Sequence, residues 1–422
     1  MSSLLGRTRS AFCPPRALRH FSPIQTAELC HIMTSKPLRV LSRRALLAYI
    51  GAAFFARGAL SDSGRAPKYH PLIGALRWDA WYTPGSTPTE AVRRSLAPEK
   101  YHWRLPFFAK LNSEQEPTFP TLTQAELDLE IQQAIYAGLD YWAFVAYPKD
   151  DPMSAALLRY LDSQKKQQLK FCLFTEVNRW GTQGKPTPLI DEHIELMKRP
   201  EYVKVSGERP LYYLGFIDRN DVVSRWGGAE GLKTQINDFR TECTKSGVGN
   251  PYIVLAGSSS QIEFWSSLGG DAIGAYTISD PRGTGDYDSL TRIVEQRWRS
   301  MTRYHLPVVP TVVTGWDRRP RVERPVPWER GQHAGAGINY FFESPRSDQI
   351  AAQLDMAIKF TNEQPDQLRA PALLIYAWNE NDEGGWLVPT LPCNSERIDA
   401  LHRMLALQPG ASTSPGCKIM QQ

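Results

Sequence analysis

The sequence predicts a single (β/α)8 barrel of the TIM type with long rim loops. Eight short apolar runs between residues 72 and 377 alternate with stretches of helical pattern, and this alternation is typical of a parallel sheet. Eight such units suit a closed barrel. The alternative is a doubly wound open sheet, but no GxGxxG motif or P-loop follows the first run.

The predicted elements follow one another in regular order. The strands are predicted at 72–76, 141–147, 171–174, 211–216, 252–256, 272–278, 308–314 and 373–377. Between them, helical periodicity predicts helices at 124–138, 153–166, 231–246, 290–304 and 347–362.

Composition and charge narrow the class of protein. The chain has 422 residues, of which 42% are hydrophobic and 22% are charged, so it can bury a large core. Residues 1–65 contain ten Lys and Arg but only two acidic residues, a charge of +8, whereas the whole chain carries +5. The remainder is therefore acidic at −3, and a nucleic-acid-binding surface is not predicted.

The N-terminal arm has the pattern of an export signal. A basic segment at 39–44 precedes an apolar run at 45–56 and a small-x-small site at 59–61. The apolar run is shorter than the ~20 residues that span a bilayer, so stable membrane insertion is not expected unless the signal stays uncleaved. The segment 42–47 resembles a twin-arginine signal. Twin-arginine or general export would make the protein periplasmic or secreted.

The domain prediction is a leader and arm at 1–65, a barrel at 66–408 and a tail at 409–422. Cys393 and Cys417 lie in loop-like sequence near the C-terminus, where a disulfide would hold the tail in an oxidising compartment. Cys172 and Cys243 lie in apolar or helical runs and are predicted to be buried. No CxxC, HExxH or clustered His pattern is present, so neither a metal site nor a cofactor is predicted.

The eighth predicted strand runs into the stretch 378–385, WNENDEGG. The carboxyl ends of barrel strands carry the chemistry of TIM-type enzymes. Glu380 and Glu383 are three residues apart and can face the same side. Two carboxylates at one pocket are the minimum equipment for glycosidic bond chemistry, one ionised and one protonated. The alternative interpretation is a solvated acidic turn that closes the barrel.

Other strand ends carry acidic, amide and aromatic side chains that a barrel would bring to the same rim. The catalytic candidates are Glu380 and Glu383. The predicted substrate-binding residues are Trp81, Tyr82, Tyr147, Glu176, Asn178, Tyr276, Trp316, Asp317, Trp378, Asn379 and Trp386. For any single member a structural role, such as a rim salt bridge, is the alternative. The cluster Arg318–Arg319–Pro320–Arg321 is interpreted as a solvated face, or as one that neutralises acidic sugars or orders the loop.

Three stretches resemble motifs of the glycoside hydrolase family 99-like barrels and the related WbsX-like proteins. The stretch 378–384 (WNENDEG) is similar to the family's WNEWxEG signature, and 316–321 (WDRRPR) to its WDNTPR loop. The stretch 202–210 (YVKVSGERP) is similar to the segment that ends in GKP before strand four. One departure is Asn381, which stands where the family has a tryptophan.

The resemblance implies an endo-acting, retaining, metal-independent glycosidase. It implies that Glu380 acts as a base on the 2-hydroxyl of the sugar and that Glu383 is the general acid/base. The expected substrate is a polysaccharide or oligosaccharide, α-mannan-like or another bacterial heteropolysaccharide. Two alternatives are kept: a carbohydrate-binding barrel without turnover, and a glycosyltransferase of polysaccharide assembly. The oligomeric state is not predicted.

Overall fold

The computed structural model describes residues 69–257, 259–329, 337–405 and 414–417. The chain divides into two units, 1–66 and 67–422, and every described residue belongs to the second. The predicted export leader therefore lies outside the described residues. Within these ranges, no helix has the length and apolar character needed to cross a membrane.

Eight parallel strands form the barrel, in the spatial order β6-β5-β4-β3-β2-β1-β8-β7. Ile273 of β6, the first strand in that order, forms a parallel bridge with Val308, which precedes β7 at the other end of the order, so the sheet closes on itself. The predicted (β/α)8 fold is confirmed. The strands are β1 Leu72–Arg77, β2 Tyr141–Val145, β3 Lys170–Glu176, β4 Arg209–Ile217, β5 Tyr252–Gly257, β6 Ala272–Gly274, β7 Thr311–Val313 and β8 Ala372–Tyr376.

Helices surround the barrel, and each of the five predicted helical segments contains one. The described α-helices are α1 Thr87–Leu96, α2 Gln124–Tyr136, α3 Ala155–Asp162, α4 Pro188–Met197, α5 Arg219–Trp226, α6 Ala229–Lys245, α7 Ile262–Ser266, α8 Tyr287–Met301, α9 Arg319–Glu323, α10 Ser347–Glu363 and α11 Glu396–Met404. Short 3-10 helices lie at Glu99–Arg104, Pro152–Ser154, Lys166–Gln168, Val177–Trp180, Ser259–Gln261, Thr302–Tyr304, Asp366–Leu368 and Asn381–Glu383.

Several two-residue strands lie in the loops. Lys110–Leu111 pairs with Pro117–Thr118, and Gly181–Thr182 pairs with Lys185–Pro186. Lys204–Val205 pairs with the start of β4, and Asn379–Glu380 pairs with Gly385–Trp386. The last of these pairs, called the β8 hairpin below, carries the two candidate glutamates.

The start of α2 shows how local sequence fixes one of these helices. Thr123 accepts a hydrogen bond from the backbone N–H of Glu126, and the Glu126 carboxylate accepts from the Thr123 N–H at 2.7 Å. This reciprocal pair satisfies two free donors of the first turn. Leu127, Ile131 and Ala134 then recur at helical spacing and are fully buried against the barrel.

A buried charge network fastens α2 to β1 and β8. Arg77 at the end of β1 donates to Glu130 of α2 at 2.9 Å, to Asp79 at 2.8 Å and to the hydroxyl of Tyr82 at 2.8 Å. The Trp378 indole donates to the same glutamate at 2.7 Å. Burial raises the pKa of Asp79 to about 6 in spite of the opposing charge of Arg77.

The C-terminal part of the chain is held by the predicted disulfide. Cys393 and Cys417 are bonded, with their Cα atoms 5.6 Å apart. Cys172 and Cys243 are free and buried, as predicted.

The Arg77 network leads to a stability prediction. Glu130→Ala should lower the free energy of unfolding by about 3–5 kcal/mol, because it leaves the Arg77 guanidinium buried with one of its carboxylates missing. Urea unfolding measures the change. The matched control is Glu90→Ala, which removes a partly exposed ion pair with Arg93 at 2.8 Å and should cost at most about 1 kcal/mol. Equal losses in the two variants would contradict a central role for the network.

Candidate functional site

The loops that follow β7 and β8 lie against each other at the carboxyl end of the barrel. The backbone N–H of Asp317 donates to the carbonyl of Glu383 at 2.7 Å. Gly315 and Gly384 both have positive φ, at +142° and +91°, and a Cβ at Gly384 would lie 2.5 Å from the Asp317 nitrogen. Glycine at these two positions lets the backbones touch.

Arg321 on the β7 loop binds three carboxylates of the β8 loop. Its guanidinium donates to Asp382 at 2.7 and 3.0 Å, to Glu380 at 3.1 Å, and to Glu383. The side chains of Arg321 and Glu380 are 4% and 2% exposed. The two predicted catalytic glutamates therefore share one buried guanidinium.

A second arginine reaches only one of the two glutamates. Arg318 lies 3.2 Å from the Glu383 carboxylate and also pairs with Glu329. Glu329 in turn accepts from Arg321 at 3.3 Å. The Arg318 side chain is 27% exposed, so this edge of the cluster is open to solvent.

Two tyrosines hold the remaining carboxylate oxygens. The Tyr276 hydroxyl, beyond the end of β6, donates to Oε1 of Glu380, and the Tyr376 hydroxyl, at the end of β8, donates to Oε2 of Glu383. Burial, with the nearby glutamate charges, raises the pKa of both phenols well above 10.0. Both hydroxyls therefore remain donors, and both glutamates are fixed in orientation.

The environments of the two glutamates push their pKa values apart. Burial and the negative charge of Glu383 raise the pKa of Glu380 well above its ordinary value of 4.5, and Arg321 offsets only part of this. Burial also acts on Glu383, but Arg321 and Arg318 together hold its pKa below 4.5. Of the two, Glu380 is therefore the glutamate whose surroundings favour the protonated form, and Glu383 the one whose surroundings favour the ionised form.

Aromatic side chains surround the pair. The rings of Phe216, Tyr276, Tyr376 and Trp316 follow one another with centroid separations of 4.9, 5.5 and 5.9 Å. On the other side, Trp78 packs edge-on to Trp328 at 5.4 Å.

The outer members of this group present flat faces to solvent. Arg321 lies over the rings of both Trp78 and Trp328. Phe216 is 46% exposed and Trp328 is 38% exposed. The indole N–H of Trp78 donates to the Tyr147 hydroxyl at 2.9 Å, which brings Tyr147 to the same mouth. Tyr147, Tyr276 and Trp316 are thus gathered around the glutamate pair, together with four aromatic residues that were not predicted as site residues: Trp78, Phe216, Trp328 and Tyr376.

Several predicted substrate-binding residues are buried and bonded within the protein. Trp81 is fully buried, packs edge-on to Phe119 and donates to the Asn379 carbonyl at 2.9 Å. Tyr82 donates to Glu130 at 2.7 Å within the Arg77 network. The Trp81 side chain is thus held by the β8 hairpin and the Tyr82 side chain by α2.

The residues that flank the glutamates are also structural. Trp378 is fully buried, with its ring 5.4 Å from that of Trp142. The Asn379 side chain accepts from the Trp78 N–H at 2.9 Å and donates to Asp79 at 3.0 Å. Asp317 is bound by Arg319 at 2.7 and 2.9 Å and by Arg104, so it orders the β7 loop.

Three predicted residues lie away from the pair. Glu176 is paired with Arg179 at 3.2 Å, and that guanidinium lies 4.2 Å from the Tyr147 ring centroid. Asn178 is exposed on the same loop. Trp386 packs at 5.4 Å against Trp103 in a separate pocket beyond the β8 hairpin.

Arg321 is the residue whose burial against the glutamates was not predicted from the sequence. A cluster of three arginines is normally solvated, yet Arg321 is buried and binds both glutamates. The similarity of 316–321 to a family motif was the available signal, because it singles out the last arginine of the stretch. No group of three or more His, Cys, Asp or Glu side chains within the described ranges has the geometry to hold a metal ion.

Comparisons with known proteins find similarity in structure. No protein-family model and no curated protein matches the chain. A GH99 endo-α-mannosidase structure from Bacteroides thetaiotaomicron shares 14% identity, with 80% of this chain and 97% of that chain covered and a TM-score of 0.47.

Two further structures are similar at lower scores. The β-D-glucuronidase of Dictyoglomus thermophilum shares 11% identity, with 72% of this chain and 51% of that chain covered and a TM-score of 0.39. Saccharomyces cerevisiae Gas2p in complex with laminaripentaose shares 11% identity, with 74% and 67% covered and a TM-score of 0.38. Such distant similarities concern the fold alone.

The shared guanidinium leads to a pH-dependent prediction. Arg321→Gln should destabilise the protein by about 3–5 kcal/mol at pH 7.5, because it leaves buried carboxylates without their cation. The loss should shrink as the pH falls, since the carboxylates then take up protons and no longer need a positive partner. Urea unfolding at several pH values measures this, with the exposed neighbour variant Arg324→Gln as the control. A loss that is the same at pH 4 and pH 7.5 would contradict the charge argument.

Proposed function

We propose that the protein is a glycoside hydrolase that cleaves internal bonds of a polysaccharide with retention of configuration, using Glu380 and Glu383. One observation carries the proposal: two buried glutamates share the Arg321 guanidinium, yet their surroundings raise the pKa of one and lower the pKa of the other. Paired carboxyl groups whose environments separate their pKa values are the pattern of glycosidase acid/base chemistry.

The charges around the pair suggest the role of each glutamate. Glu380 would donate its proton to the glycosidic oxygen as the bond to the anomeric carbon breaks. Glu383 would remain ionised and stabilise the positive charge that develops on the sugar ring. The nucleophile would be Glu383 itself, or the 2-oxygen of the sugar after Glu383 has removed its proton. Water then attacks the anomeric carbon and gives a proton to Glu380, which breaks the bond to Glu383 or to the 2-oxygen. In the second case Glu383 also returns its proton to the 2-oxygen. This assignment exchanges the roles that the family resemblance implies.

The surroundings of the pair support a carbohydrate substrate. Exposed or half-buried aromatic faces of Phe216, Tyr276, Trp316 and Trp328 surround the carboxyl groups, and such faces suit the flat apolar sides of sugar rings. We further propose an α-mannan-like or other bacterial heteropolysaccharide as substrate, and export to the periplasm or medium as the route to it.

Leaving-group dependence tests the proposal and the roles together. With Glu380 as the acid, Glu380→Gln should lose about 100-fold or more in kcat/KM on the polysaccharide. It should lose far less on an activated aryl glycoside, whose leaving group needs little protonation. Glu383→Gln should be severely impaired on both substrates. Steady-state kinetics on a polysaccharide found by screening purified protein measures these values.

The control is Glu329→Gln, which changes a carboxylate of the same arginine cluster that does not belong to the pair. The opposite leaving-group pattern would assign the proton to Glu383, as the family resemblance implies. Near wild-type rates for both Gln variants on a confirmed substrate would remove the pair from the mechanism. Tight binding of a glycan with no turnover by the wild type would leave a carbohydrate-binding barrel.

The two pKa shifts predict the pH dependence of kcat/KM. The active form has Glu380 protonated and Glu383 ionised, so activity should fall at acid pH as Glu383 takes up a proton, below 4.5. It should fall at alkaline pH as Glu380 loses its proton, well above 4.5. The profile should therefore be a broad bell. Arg318→Gln should move the acid limb upward, because Glu383 loses a cation, and an unmoved limb would contradict the assignment.

A further inference from the structure

A second pocket lies beyond the β8 hairpin, at the same end of the barrel. Its volume is about 480 Å³. We call it the Trp103 pocket. Its lining includes Trp103, Trp386, Asn394 and Arg397, together with Arg346 and Asp348 at the mouth. The β8 hairpin connects it to the candidate active site, because Trp386 pairs with Asn379 and Gly385 pairs with Glu380.

Arg397 is a partly buried cation in this pocket that lacks an anionic partner. It donates to the carbonyls of Trp386 and Thr314 at 2.7 and 3.1 Å and to the Ser344 hydroxyl at 3.1 Å. Its guanidinium lies 3.6 Å from the Trp386 ring centroid. No Asp or Glu oxygen of the described part of the chain comes within 4.0 Å of its nitrogens.

The pKa shift of Arg397 agrees with a positive charge that has no carboxylate partner among the described residues. Burial, with a smaller contribution from Arg104, lowers the pKa of Arg397 to about 9, although Tyr287 opposes the shift. A guanidinium that loses hydration without gaining a carboxylate is costly. The two acids at the mouth do not supply one, because Asp348 is paired with Arg346 at 3.1 Å and Glu396 is exposed and out of ion-pair reach.

The second feature of the pocket is an exposed indole. Trp103 is 46% exposed, and its N–H is already satisfied by the Lys100 carbonyl at 3.0 Å. The indole is held in place by Trp386 at 5.4 Å and by the Arg104 guanidinium at 4.9 Å. A fixed, exposed aromatic face beside a polar pocket suits a ligand with a flat apolar side and polar edges.

We propose that the Trp103 pocket binds a uronic acid unit of a glycan, with the sugar carboxylate on Arg397 and the ring against Trp103. A guanidinium pairs with a planar carboxylate better than with a neutral hydroxyl group. The inference rests on the proposed function, because it takes the ligand to be a glycan. It narrows the substrate to an acidic polysaccharide. A unit held here would place a neighbouring part of the same chain toward Glu380, across the β8 hairpin.

The Cys393–Cys417 disulfide supports the wall of the pocket. Asn394 lines the pocket and is the neighbour of Cys393, and its backbone exchanges hydrogen bonds with Thr390 at 2.7 and 3.1 Å. The pocket is therefore a constrained part of the surface.

Binding is tested on the full-length protein with Glu383→Gln as the background, so that turnover does not interfere. The probes are oligogalacturonate and oligoglucuronate, each compared with its methyl ester, which keeps the ring and removes the charge. Titration calorimetry should show that at least one acidic probe binds about tenfold or more tightly than its ester. Trp103→Ala and Arg397→Gln should each weaken that binding about tenfold or more, and Arg299→Gln, at an exposed ion pair, should not.

Three results would overturn the proposal: no binding of either acid, equal affinity for acid and ester, or unchanged affinity in Trp103→Ala. The exposed Trp103 variant and the ester comparison decide the matter even if Arg397→Gln fails to fold.

Kinetic measurements test the Trp103 pocket separately from the proposed hydrolysis. In the otherwise unaltered protein, Trp103→Ala should leave kcat on a small aryl glycoside unchanged and raise KM on an acidic polysaccharide. If the protein hydrolyses a polysaccharide but does not bind the acids more tightly than their esters, only the proposal for the Trp103 pocket is overturned. If it binds the acids selectively but hydrolyses no glycan, only the hydrolase proposal is overturned.

Discussion

The Arg321 guanidinium is the contact on which the geometry of the mouth depends. It comes from the loop after β7 and binds Glu380, Asp382 and Glu383 of the loop after β8. A guanidinium presents its donors in a rigid plane, so the three carboxylates take fixed positions around it. Because both loops leave parallel neighbouring strands, the contact turns two flexible connections into one site.

The free-energy cost of burying these carboxylates explains why the pKa values of the two glutamates differ. Two arginines, Arg318 and Arg321, face four carboxylates that cannot all remain ionised at low cost in a buried site. Arg318 reaches Glu383 but has no contact with Glu380 among the described interactions, so the pKa of Glu383 is lowered while the pKa of Glu380 is raised. The second arginine thus contributes to the difference between two glutamates three residues apart, and paired carboxyl groups with separated pKa values suit acid/base chemistry.

The barrel could be predicted from the sequence because each strand is a short apolar run and five of the seven connections carry a helical period. The mouth could be predicted only in part. Glu380, Glu383, Tyr276 and Trp316 were expected there because strand ends converge in a barrel. The contacts that bury Trp81 and Tyr82 join segments distant in sequence, Trp81 to Phe119 and Tyr82 to Glu130 of α2, so local sequence does not predict them. The role of Arg321 depends on its burial between the loops after β7 and β8, and local composition does not predict that burial.

Solvent access distinguishes two buried arginine–carboxylate networks of the described residues, one around Arg77 and one around Arg321. Around Arg77 the side chains of Arg77, Asp79 and Glu130 are 0–3% exposed, and Tyr82 and Trp378 are hydrogen-bonded to them. Such a network stabilises or specifies the fold. Around Arg321 the exposure rises from 2% at Glu380 to 10% at Glu383, 19% at Glu329 and 27% at Arg318. The glutamate whose pKa is raised thus lies at the dry end of a graded opening, and the arginine that contacts only Glu383 of the pair lies at the wet end.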